Sequence, residues 1–294
     1  MSISRRTALI GAGLLLSRQV RAAEDKDEQR ALFWTVTPAG RKGGVLFGYE
    51  RIAAAITPEI VRDGEALAGA SQRIVIDMPQ RVRFPQLSLG AGDIKPIVQI
   101  VSPQTADRLR KFLAATPAAS RADRLGGLEA TMLLVVEGQH NADITVGGTI
   151  FEYSRSAGKP VDQLLSDTDV LSAFRPPDMA ALNGGIGEDT ISYLLDLRDR
   201  IGPIGGYLEQ LYRERKGDAI VRVADDINRH GVFSPSRLLQ TDQIRKLMFE
   251  RAQDMLTQQT DEQRFMLFPL GILAGSTGLL AAFKAKGAVV APRA

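Results

Sequence analysis

The 294-residue chain contains no cysteine, two histidines and one tryptophan. Without cysteine there is no disulfide, no thiolate metal site and no Cys nucleophile. Two histidines leave little for an imidazole-based metal centre. No serine sits in a Gly-x-Ser-x-Gly elbow, which removes the usual sign of an α/β-hydrolase nucleophile. No basic stripe interleaved with aromatics is present, so nothing argues for nucleic acid. The stretch Phe265 to Phe283 runs 19 residues without a charge, but Pro269, Gly271, Gly275, Ser276, Thr277 and Gly278 interrupt it. It reads as a strand, a glycine turn and a helix start, and the chain is expected to have no stable membrane span after its leader.

What is present begins with that leader. Ser4-Arg5-Arg6-Thr7 precedes the apolar stretch Ala8 to Leu16, and Val20-Arg21-Ala22 supplies small residues for a signal peptidase. Residues 1–22 therefore read as a twin-arginine-type signal peptide cleaved near Ala22, and 23–294 as a single soluble periplasmic domain. The apolar stretch is shorter than the roughly 20 residues a spanning helix needs. No cysteine follows it, which excludes a lipoprotein anchor. The leader carries four arginines and no acid, so the net charge falls from +3 to −1 on its removal. The basic pI belongs largely to the export signal.

Strands and helices alternate along the remainder. Leu32 to Thr37 and Gly44 to Gly48 read as strands joined by the turn Pro38 to Gly43. Thr57-Pro58-Glu59 opens a helix that runs to about Gly69, with Thr57 as its cap. Arg73 to Met78 is a β-branched run, expected as a buried strand. Ser102 to Leu113 has helical periodicity. Gly148 to Ala157 reads as a helix stopped by Gly158, with a strand beginning at Pro160-Val161. From Ile186 to Gln259 the pattern is mostly helical, broken at Gly202-Pro203, Lys216 to Asp218 and His230 to Pro235. Phe265 to Leu270, Leu279 to Lys286 and Ala288 to Ala291 close the chain as strand, helix and strand. The expected fold class is α/β: a mixed β-sheet flanked by helices, with a large helical insertion.

Two glycine-anchored frames stand near the ends of this pattern: Val45-Leu46-Phe47-Gly48-Tyr49-Glu50-Arg51, and Phe265 through Gly271-Ile272 to Gly275-Ser276-Thr277-Gly278-Leu279-Leu280. With Ile74-Val75-Ile76-Asp77, Ala157-Gly158-Lys159-Pro160-Val161, Lys246 to Arg251 and Lys286-Gly287, they form an ordered set spread over nearly the whole mature chain. This set resembles the TraB/GumN/PrgY family, which is related to the Tiki-type metal-dependent peptidases and more distantly to erythromycin esterase-like proteins. The resemblance implies a metal-assisted hydrolase ancestry and also a degenerate site. Arg51 and Ile272 stand where the family carries histidine. Leu165 falls at its middle glutamate, Gly147 at an earlier aspartate and Ala252 at a late asparagine, while Arg251 matches. Asp77 or Ile76 falls at the third-strand carboxylate. A guanidinium and hydrocarbons cannot ligate a divalent cation, so no metal or other cofactor is expected.

The remaining motifs are bland. Glu137, His140 and Asp143 would share a helical face, but Gly138 argues for a solvated turn. His230 reads as a helix-end cap beside Gly231. Asn183-Gly184-Gly185-Ile186-Gly187 lacks the lysine of a phosphate loop and reads as a linker. Arg198, Arg200, Arg213 and Arg215, alternating with acids, read as a salt-bridged surface.

The expected function is therefore an exported, non-catalytic protein whose old cleft, lined by Glu50, Arg51 and Arg251, binds a small molecule, a peptide or an envelope protein. One alternative is a divergent hydrolase of peptide or ester bonds, with Glu50 and Asp77 as its acid/base groups. Another is a structural subunit of an envelope complex.

Overall fold

Alternating burial sets the strands. In Phe33–Thr37 (β1), Phe33, Trp34 and Val36 are buried while Thr35 and Thr37 reach solvent. Gly44–Tyr49 (β2) is buried through Gly48, as expected of a strand covered on both faces. The structure, a computed structural model, describes residues 31–78, 95–173, 184–232, 242–258 and 262–293. The leader and Asn183 lie outside these residues.

The chain continues with the helix Pro58–Ala70 (α1), Arg73–Ile76 (β3), Pro103–Leu113 (α2), Gly127–Val135 (α3), Val146–Ser156 (α4) and Val161–Gln163 (β4). Asp167–Ala173 (α5), Glu188–Ile201 (α6), Ile204–Arg213 (α7), Gly217–Arg229 (α8) and Asp242–Thr257 (α9) follow. Arg264–Pro269 (β5), Leu270–Leu273 (α10), Leu279–Ala285 (α11) and Val289–Arg293 (β6) complete it. The strand order is β4-β3-β5-β2-β1-β6. The first four run parallel, and β1 and β6 are antiparallel additions on one side. The mixed sheet and the large helical insertion between β3 and β5 are as the sequence predicts.

β5 enters the middle of the sheet, with Met266 opposite Leu46 on one side and Val75 on the other. Phe33, Phe47 and Phe265 stack across three strands at ring separations of 4.6 and 6.2 Å. A second apolar core lies inside the helical insertion, around Leu109, Phe112, Leu113, Leu134, Ile191, Leu194 and Ile204. Leu208 and Val223 pack against both cores and join them.

The 265–283 stretch is resolved as β5, a turn and two short helices. No described helix is long and apolar enough to cross a membrane. Thr57 does precede α1, but its side chain does not cap it; its hydroxyl donates instead to the Ala53 carbonyl at 3.3 Å.

Gly48 is where the sheet meets the segment after β5. A Cβ there would fall 2.5 Å from Leu270 Cδ1 and 3.3 Å from Trp34 Cζ3. A larger residue at this position would have to displace the buried Leu270 side chain from its place against β2.

Candidate functional site

The parallel strands β2, β5, β3 and β4 end on the same edge, the carboxyl-end edge at which α/β sheets place their ligands. Most candidate residues arrive there. Glu50 directly follows β2, and Asp77 directly follows β3. Between them reaches Tyr49, whose hydroxyl donates to Asp77 Oδ2 at 2.8 Å. The Asp77 carbonyl accepts the Leu165 N–H at 3.1 Å, tying the cluster to the loop after β4.

Burial dominates the electrostatics. The Asp77 carboxyl is pushed up to about 6 by desolvation, against the opposing pull of the Tyr49 hydroxyl and nearby main-chain N–H groups. Glu50 is pushed up to about 7 by desolvation, with the Arg51 N–H opposing. Glu50 keeps a partly exposed edge, but the atoms packed around its carboxyl set its proton affinity. The Tyr49 phenol is raised by burial, then by Asp77 and Glu50. Behind it Tyr212, fully buried, donates to the Gly48 carbonyl at 3.4 Å, and its phenol is raised by burial and by Glu50. Tyr212 also feels Arg215, whose guanidinium pairs with Asp63 on α1. These groups form a buried, proton-holding cluster, and no cation is among the causes that shift Glu50 or Asp77.

Arg51 is exposed, and its carbonyl accepts from Gln139 Nε2 at 3.1 Å. Its guanidinium makes no ion pair among the described residues. Arg251 is already engaged: Nη1 and Nη2 grip Asp169 at 2.7 and 3.0 Å, and Nη1 also donates to the Leu164 carbonyl at 2.5 Å. This pairing holds the Asp169 carboxyl below the usual carboxylate range. Arg251 thus fixes the loop after β4, one residue from the Leu165 N–H that bonds Asp77.

The structure places hydrocarbon or glycine at four of the positions that the sequence resemblance singles out. Leu165, Ala252 and Ile272 are all buried, and Gly147 lies against the Tyr49 ring, where a Cβ would sit 3.2 Å from Tyr49 Cβ and Cγ. Among the described residues no group of three or more His, Asp or Glu side chains is placed to hold a metal ion.

A groove of about 580 Å³ lies between the β2–α1 and α3–α4 connections. Ala53, Ala54, Ala55, Pro58 and Val61 line it from the β2–α1 side. Asn141, Asp143, Ile144 and Thr149 line it from the α3–α4 side, and Arg62 and Glu65 add charges from α1. The volume is that of a small-molecule or side-chain site. None of Glu50, Arg51 and Arg251 lines it.

Sequence reasoning passed over Tyr49 and Glu209. Tyr49 lies inside the quoted Gly48-Tyr49-Glu50-Arg51 frame and carried a signal there. Glu209, which meets His140, sits on a helix with no local hint of its partner.

No model of a known protein family matches the chain, and neither a curated protein nor a solved structure matches it.

Proposed function

We propose that this is an exported binding protein of the cell envelope, a non-catalytic relative of the TraB/GumN/PrgY proteins that it resembles. Its occupant is a small molecule or a peptide side chain with an apolar body, taken up at the sheet's carboxyl-end edge. One observation carries the reading: the positions where the resemblance would place site residues are the buried Leu165, Ala252 and Ile272, while a largely apolar groove stands between the β2–α1 and α3–α4 connections. Hydrocarbon cannot ligate a divalent cation, whereas an apolar groove with a few polar groups at its rim is the ordinary form of a ligand site. Export rests on the Arg5-Arg6 leader. A purely structural subunit would also tolerate filled ligand positions, but it has no need of the groove.

Nile red, a neutral apolar dye, tests the groove. The mature protein should bind it, and Ala54→Leu or Val61→Phe should weaken binding at least about tenfold by filling the space. Equal binding by the filled variants, or none by the native chain, contradicts the reading.

A second reading has its own observation. The two carboxyls at the strand ends are both held near neutral pH by burial, the range suited to general acid/base work. If the protein is a hydrolase, cleavage of p-nitrophenyl acetate or a casein peptide will drop in Glu50→Gln and Asp77→Asn. On the binding reading, native and variant proteins all stay at the uncatalysed rate.

A further inference from the structure

The segment from Glu137 to Thr145 joins α3 to α4 and forms the outer wall of the groove through Asn141, Asp143 and Ile144. From His140 through Thr145, no main-chain N–H meets a main-chain carbonyl among the described residues. The segment is fastened at separate points instead. The Glu137 carboxylate takes Arg198 Nε and Nη2 at 2.6 and 2.8 Å, and its carbonyl takes the Gly206 N–H at 3.0 Å. Gln139 Nε2 donates to the Arg51 carbonyl. At the far end, the Ala54 N–H donates to the Ile144 carbonyl at 2.9 Å and the Val146 N–H to the Ile52 carbonyl at 3.0 Å.

In the middle stands a single contact with a large asymmetry. The main-chain N–H of His140 donates to Glu209 Oε1 at 2.8 Å, and its Nδ1 lies 2.6 Å from Oε2. The Glu209 side chain is 3% exposed and the His140 side chain 62% exposed. Among the described residues, His140 is the one partner that Glu209 has. When His140 leaves, a buried carboxylate is stranded, and when it returns both oxygens are satisfied together. One contact therefore separates two discrete arrangements, a condition for a two-state element. Few main-chain bonds along the same stretch make its opening cheaper than unfolding of the sheet. Gly138 supplies the pivot: its φ is +75°, and a Cβ there would lie 2.8 Å from Pro203 Cβ.

We infer that residues 137–145 are a strap that forms a movable wall of the groove, swinging out to widen it and closing against its occupant, with His140 on Glu209 as the latch. Swinging out also frees Gln139 from the Arg51 carbonyl, so the latch is linked to the turn that follows Glu50. The inference rests on the groove's being the ligand site, but its mechanics can be tested without any ligand.

Hydrogen exchange of the full mature chain reads the strap at the amides of Ala54 and Val146, which make its closing main-chain bonds. In His140→Ala both should exchange about tenfold faster or more, while Met266 and Phe268 in the central strand keep their native rates. Glu209→Gln, which keeps the side chain's shape, should act in the same direction. Because the chain has no cysteine, the bridge partners Ala53 and Thr145 can be replaced by a single cysteine pair. Added to His140→Ala, Ala53→Cys with Thr145→Cys should cancel the acceleration when oxidised and restore it when reduced. Unchanged rates at Ala54 and Val146, or a rise shared equally by Met266 and Phe268, overturns the latch. Loss of dye binding in Val61→Phe is a separate result: it bears on the groove and not on the latch, which the exchange rates of Ala54 and Val146 in the His140 variants read.

Discussion

The Tyr49 hydroxyl reaches Asp77 Oδ2 at 2.8 Å although the strands that carry them are not neighbours: β5 runs between β2 and β3. The bond therefore spans the end of β5 and joins the ends of β2 and β3, 28 residues apart in sequence. It also gives the buried Asp77 its one side-chain donor among the described residues. Asp77 is 5% exposed, so the loss of that donor falls on a group that water reaches poorly.

Tyr49→Phe keeps the ring that packs on Gly147 and removes only the donor. It should destabilise the protein by about 1–3 kcal/mol at pH 8 in urea denaturation, the usual cost of stranding a buried acceptor. The same variant should lose less at pH 5, where Asp77 is protonated and can donate for itself. A loss of equal size at both pH values would show that the hydroxyl serves some other partner.

Stability should fall as pH rises through the weakly acid range. The folded Asp77 and Glu50 carboxyls titrate at about 6 and about 7, above the roughly 4 of an unfolded carboxylate. Between those values the folded chain holds more protons than the unfolded one, so raising the pH favours unfolding. The loss should run from about pH 4 to about pH 7 and then level off, at no more than about 3 kcal/mol per carboxyl. Asp77→Asn and Glu50→Gln should each flatten the slope measured by urea midpoints at fixed pH. A slope of opposite sign, or one unchanged in both variants, would contradict the assignment.

Arg251 and Asp169 should give the opposite sign. Arg251 holds Asp169 below the ordinary carboxylate range, so this pair stabilises the fold at neutral pH and fades below about pH 4. The pair is partly solvated, with Arg251 38% exposed, and its worth is discounted to about 1 kcal/mol. Arg251→Ala should cost about that much in urea at pH 7, and Arg251→Lys should recover little, because lysine cannot grip both carboxylate oxygens and the Leu164 carbonyl together. Full recovery by lysine would show that charge alone matters there.

Gly147→Asp installs the residue that the family resemblance places there. Its Cβ would press on the Tyr49 ring, which a Cβ already meets at 3.2 Å, and its charge would join two carboxyls that are already desolvated. The variant should unfold at lower urea than Gly147→Ala at pH 8 and approach it at pH 5, as added carboxylates are neutralised. Equal midpoints at pH 8 would place the new side chain outside the cluster.

The sheet was legible because its signals are local. β-Branched and aromatic runs marked β1, β2, β3 and β5, and the glycines and Pro269 correctly broke the 265–283 stretch before it could read as a span. The sequence signal for α4 begins at Gly148, two residues inside the helix, since Val146 and Gly147 carry no helix signal of their own. Glu50 and Asp77 were legible as candidates from the ends of their strands. Their linkage through Tyr49 was not, because it depends on β5, more than 180 residues beyond β3, inserting between β3 and β2. His140 read as a solvated turn because Glu209 lies 69 residues away and meets it only in the packed helical insertion. Arg251 was recognised without its partner Asp169, 82 residues earlier. The groove had no signature, since three alanines in a row mark space only once the walls around them are known.

Elemental analysis of the protein, purified without chelator and counted as metal per chain, tests the central claim most directly. On the proposed reading, in which the resemblance puts Arg51, Leu165, Ala252 and Ile272 at the old site, the protein should carry far less than one zinc, manganese or cobalt per chain. Near-stoichiometric metal that survives gel filtration would contradict the non-catalytic reading and make the carboxyls of Glu50 and Asp77 the first ligands to replace.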